Sequence, residues 1–264
     1  MSPIIIFSSG IIHFAHIITN LLAKVIPIEI REQTQVWIDM DIEKILTNVH
    51  ENKWFEQRFV DLCMCILLTR NPRLCSLDQP KDNRIFRMLS NRLSDAFMTF
   101  IVAHECAHYY LGHLNMCEQA DIVKVNQIEY EKIKLNWEQE YDADYLGALL
   151  TLPVLFERKY EPIQIISGIY ISLLSINIIE CLQIIPEDRI SFTHPSGKKR
   201  LIELKNKLEK ILKTDLTVLD IYDQLFSILW DKFINTFQNI EKQVLESERQ
   251  RLISYEKIKE LIYQ

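Results

Sequence analysis

Residues 104–108 read His-Glu-Cys-Ala-His, inside an apolar, helix-favouring run from Ala96 to Leu111. On a helix, positions four apart lie about 40° apart around the axis, so His104 and His108 project from one face. Two neutral imidazoles on one face can bind a divalent metal, and Glu105 beside them is placed to handle a proton. The spacing is that of the H-E-x-x-H motif, whose histidines bind zinc while its glutamate serves as general base. The competing interpretation is a surface helix that bears two unrelated histidines.

Outward from this motif, the pattern predicts a helix from near Asn83 to beyond His108, with Gly112 placed to end it. Asp121 to Tyr130 is ambiguous. A second strong helix is expected over about Gln127 to Leu152, ending at Pro153, and Pro162 sits well in the first turn of the apolar helix that follows. Pro186 to Pro195 reads as a loop, and Gly197 to Gln264 as two helices whose alternating Lys and Glu form a solvated face. Upstream, Asp41 to Arg70 shows helical periodicity. Val25–Ile30 and Gln35–Asp39 alternate at period two and suggest a small N-terminal hairpin.

The composition agrees with a mainly α protein, α+β at most. Five glycines in 264 residues is well below the usual share of about 7%, which favours helices on short connections over a barrel or sandwich. The expected organisation is a single domain over 1–264, with a metal-site core at about 83–202 and a helical extension at about 203–264. A net charge of −6 argues against a nucleic-acid partner, which would need a basic face. Six cysteines without a paired C-x-x-C pattern suit reduced thiols in a cytoplasmic protein. Ile4–Ala23 lacks the basic start and small-residue cleavage site of a signal peptide. Ile163–Ile185 is long enough to span a bilayer, but Gln164, Ser167, Ser172, Ser175, Asn177 and Gln183 favour a buried core helix over a membrane-embedded one.

Two histidines leave a catalytic zinc site one protein ligand short. His113 is the nearest further histidine, but on a continuous helix it lies about 900° past His104, on the opposite side. It is therefore expected to be a surface or C-terminal-turn residue. A better candidate lies in Glu138-Gln-Glu-Tyr-Asp-Ala-Asp144, where Glu140 and Asp144 share a helix face. Glu140 could supply the third ligand oxygen. Asp144, one turn on, could accept the second ring N–H of a ligating histidine and fix its tautomer. Glu138 and Asp142 point elsewhere and would face solvent, and an acidic helix patch without a metal remains the alternative.

H-E-C-A-H at 104–108, E-Y-D-A-D-Y-L-G at 140–147 and S-F-T-H-P-S-G-K-K-R-L at 191–201 together resemble the three blocks of the gluzincin metallopeptidases related to HtpX, Oma1 and the CAAX-prenyl endopeptidases. The resemblance covers about residues 95–202. It implies a zincin-like helical core, Zn2+ held by His104, His108 and Glu140, and Glu105 as general base. It also implies Asp144 as support behind the ligands and His194 as a catalytic-site histidine. Arg200 matches the arginine that follows the Thr-His-Pro segment; pairing with a carboxylate near the site and anchoring the loop are both open roles for it. A narrower resemblance, carried by Phe97–Ala103 before the motif and Leu111-Gly-His113 after it, is to the phage-exclusion peptidase Lit and its relatives, proteases that act in phage defence. The expected function is hydrolysis of peptide bonds in a protein or peptide substrate. A zinc-stabilised interaction module without turnover and a membrane-embedded gluzincin protease are the alternatives.

Overall fold

The computed structural model describes residues 9–31, 35–75, 84–113, 120–125, 128–133, 137–184, 195–214 and 216–262. In chain order the elements are α1 (Ser9–Ala23), β1 (Ile28–Arg31), β2 (Gln35–Ile38), α2 (Ile42–Glu51), α3 (Lys53–Thr69) and α4 (Arg84–Tyr110). They continue with β3 (Ala120–Val125), β4 (Ile128–Ile133), α5 (Trp137–Glu157), α6 (Pro162–Ile184), α7 (Gly197–Leu212) and α8 (Asp220–Ile262). The architecture is mainly α, with the expected N-terminal hairpin: β1 and β2 pair antiparallel from Ile28↔Ile38 to Arg31↔Gln35.

The buried residues of α4 include Leu89, Leu93, Ala96, Phe97, Phe100, His104, Ala107 and His108. This is one stripe at helical spacing, and the two histidines are its continuation. The motif therefore faces the interior, which removes the surface-helix alternative. On α5 the corresponding stripe holds Glu140, Ala143, Asp144, Gly147, Ala148, Thr151 and Leu155. α5 packs against α4, so two apolar stripes that each carry polar groups at one end meet face to face.

α6 is apolar all round, as a helix enclosed by others must be. It lies against α1, α3, α4, α5 and α7. It is long and apolar enough to cross a membrane, yet 72% of its apolar window is buried within the fold. Three of its buried polar side chains are paired. Ser172 and Ser175 donate to the carbonyls of Ile169 and Ile171, and the side-chain oxygen of Gln164 accepts from Arg92. α8 packs on α3, and its Tyr222, Leu225, Leu229 and Phe233 are buried.

Three expectations are corrected. The helical pattern of 41–70 is two helices, because Asn52 ends α2 and its side chain accepts from the Phe55 N–H to start α3. The predicted start of the second strong helix at Gln127 is too early: Ile128–Ile133 is a strand paired with Ala120–Val125. Alternation of Ile128 and Tyr130 with Glu129 and Glu131 has the period of a strand. That helix also runs past Pro153 to Glu157. The proline removes one N–H, but burial of Leu152 and Leu155 on either side holds the turn. The expected loop at 186–195 lies, apart from Pro195, outside the described residues.

Candidate metal centre

The site is assembled from α4, α5 and α7. His104 and His108 face inward from α4, and the Nε2 atoms of their rings are 3.1 Å apart. Across the helix interface, Oε2 of Glu140 lies 3.6 Å from Nε2 of His104, and its Oε1 lies 3.8 Å from Nε2 of His108. All three residues are buried, and one donor atom from each falls within 4.8 Å of the others. Donors of this kind around a four-coordinate ion such as zinc, at about 2.0–2.2 Å from it, sit about 3.3 Å from one another. The observed separations fit a single divalent ion among two nitrogens and one oxygen.

The surroundings decide what those donors present. Oδ1 of Asp144 is 3.0 Å from Nδ1 of His104, so the ring proton sits on Nδ1 and the Nε2 lone pair points at Glu140. Two imidazole nitrogens only 3.1 Å apart need a proton or a cation between them. Asp144 is in turn gripped by Arg200, whose Nε donates to Oδ2 at 2.8 Å and Nη2 to Oδ1 at 2.6 Å. The Nη1 of Arg200 lies 3.0 Å from Oε2 of Glu140. Arg200 thus pairs with both acids at once; the preceding loop that it could also anchor lies, apart from Pro195, outside the described residues.

Electrostatics follow from burial. Desolvation, then the neighbouring His104, lowers the pKa of His108 from 6.5 to about 4, so the ring is neutral near pH 7. For Asp144, burial acts to raise the pKa, but the hydrogen bonds and charge of Arg200, with help from His104, hold it below the usual 3.8. Arg200 is held in its charged form by the Asp144 and Glu140 carboxylates against its own desolvation. The centre is thus a buried arginine facing two acids, with the neutral imidazole of His108 beside them.

Close approach of α4 and α5 depends on Gly147. A Cβ there would sit 3.0 Å from the Cα and N of His104, so any larger residue would require the two backbones to move apart. Glu105 is exposed on α4, turned about 60° from His108 around the axis. Glu138 and Asp142 are exposed, as expected; Asp142 meets Lys207 at 3.4 Å. His194 lies outside the described residues, although Ser196 caps α7 and its helix carries Arg200 into the centre.

His113 follows the end of α4, as a C-terminal-turn residue does, but the opposite-side geometry failed. It is 6% exposed, not a surface residue, and its Nδ1 lies 2.9 Å from Nδ1 of His108. The continuous-helix extrapolation does not apply, because α4 stops at Tyr110 and Gly112 takes φ +72°. That left-handed residue turns the chain back over the helix end. Gly112 was the available signal, since an angle counted along a helix means nothing past the residue that ends it. Cys63, Cys65, Cys75, Cys106 and Cys181 are free thiols; Cys117 lies outside the described residues.

Comparison with known proteins adds one finding. The model of the family Peptidase U49 matches residues 71–218, which span α4 to α7 and therefore every side chain of the centre just described. The chain belongs to the Peptidase U49 family. No curated protein and no solved structure matches it.

Proposed function

We propose, with membership of the Peptidase U49 family as premise, that the protein is a zinc-dependent endopeptidase whose metal is held by His104, His108 and Glu140. The observation that carries this is the buried convergence of the two Nε2 atoms and the Glu140 carboxylate. When bound, zinc would lower the pKa of a coordinated water towards about 7 and polarise a peptide carbonyl.

The chain's own residues do the rest. Asp144 holds the His104 proton on Nδ1, and Arg200 fixes Asp144 and pairs with Glu140. Glu105, exposed beside the buried histidines, takes the proton of the attacking water and returns it to the leaving amine. His194, two residues before the cap of α7, donates to the carbonyl oxygen as it becomes an oxyanion.

The order of the three motif blocks supports a gluzincin of the HtpX, Oma1 and CAAX-prenyl endopeptidase kind. The stretches flanking the motif support the narrower Lit-like role in phage defence. Burial of α6 within the fold supports a core helix over a membrane-embedded one, and a cytoplasmic enzyme acting on a protein substrate is the reading adopted with it. The test is digestion of an unfolded protein by the purified chain. Hydrolysis should disappear with a strong chelator and return with added zinc; chelator-resistant hydrolysis would remove the metal from the mechanism.

A further inference from the structure

The proposed zinc ligand His108 has two ring nitrogens, and they meet different groups. Nε2 is turned to His104 and Glu140. Nδ1, on the other edge, is turned to Nδ1 of His113 at 2.9 Å. The His113 ring is tilted 61° to that of His108, and both residues are buried.

Only one proton fits between two nitrogens in such contact, so one ring donates and the other accepts. If His113 donated, the proton of neutral His108 would sit on Nε2 and point into the donor cluster, and the ring could not ligate there. If His108 donates from Nδ1, its Nε2 lone pair is free for the metal, and His113 carries its own proton on Nε2. Asp144 performs the same service for His104 from the opposite side of the cluster. The two ring orientations are therefore fixed by different chemistry: a carboxylate for one and a neutral imidazole for the other.

We propose that His113 is a positioning residue that accepts the Nδ1 proton of His108 and thereby holds His108 in its metal-ligating tautomer. It rests on the zinc reading above, and it extends the site past the end of α4 to a residue placed there by Gly112. His113 is not itself a ligand, because it meets the edge of His108 that faces away from Glu140. A neutral acceptor adds no charge, so the ring is oriented without a third carboxylate in a pocket that already buries two.

The experiment is a zinc titration against a chromophoric chelator for wild type, His113→Phe and His113→Gln, with the thermal midpoint of each metal-free protein recorded. Removal of such a supporting partner weakens metal affinity by about 10–100-fold. His113→Phe should show that loss. His113→Gln, whose amide oxygen can accept the same proton, should recover most of it whatever either change does to the metal-free midpoint. Long-range nitrogen–proton NMR of the zinc-loaded wild type, which needs no variant to fold, should find His108 protonated at Nδ1 and His113 at Nε2. Wild-type affinity in His113→Phe, or a proton on Nδ1 of His113, would overturn the assignment. Failure of the wild type itself to take up zinc would instead overturn the reading on which it rests.

Discussion

Arg200 forks onto Asp144 through two hydrogen bonds, of 2.8 and 2.6 Å, from a helix that begins more than fifty residues downstream of that acid. With its remaining nitrogen it reaches Glu140, so one buried cation pairs with a candidate ligand and with the acid behind His104. Such a group stabilises little by itself, but breaking it leaves uncompensated buried charge.

Arg200→Met should therefore destabilise the metal-free protein by about 3–5 kcal/mol. Zinc places positive charge beside one of the same acids, so it should raise the melting temperature of the variant by more than it raises that of the wild type. Scanning calorimetry of both proteins with and without zinc measures this. An equal zinc effect in the two would show that Arg200 does not neutralise the centre.

Glu105→Gln separates binding from turnover. Glu105 is exposed while the candidate ligands are buried, so the variant should retain zinc and fold normally. Loss of a positioned proton carrier costs about 10²–10⁴-fold in rate, and peptide hydrolysis should fall by that much. Unchanged turnover would remove Glu105 as the general base.

The metal-free protein should lose stability as acid is added. Burial lowers the His108 pKa to about 4 from 6.5, so between those values the unfolded chain binds the extra proton. The contribution is whole above about pH 6.5 and declines as the pH falls towards 4. Asp144, held below 3.8, contributes in the same direction at still lower pH. Urea unfolding at pH 7, 5.5 and 4.5 follows the trend. Stability that rose with acid would contradict the neutral, buried state of His108.

The motif helix, its end at Gly112 and the facing of Glu140 and Asp144 were all legible from spacing, because a 3.6-residue period with buried polar members leaves one arrangement. The small hairpin at β1–β2 was legible from its period-two alternation, and the pair of C-terminal helices from their helical spacing. β4 was not, since Ile128–Ile133 adjoins a helix-forming acidic run and its period-two signal covers only six residues. The role of Arg200 needed coordinates, because which acid a distant cation meets depends on how α7 packs. So did the place of His113, since a left-handed glycine redirects the chain by an amount that no count of residues supplies.

The most direct test of the metal centre is the zinc content of the purified wild-type chain beside that of Glu140→Ala, measured by elemental analysis after removal of loosely bound metal. Glu140 is the one candidate ligand supplied from outside the motif helix, and it joins α5 to α4 at the centre. The account predicts one tightly held zinc per wild-type chain and its loss from the variant. Full zinc retention by Glu140→Ala, or a wild-type chain that takes up none, would contradict it.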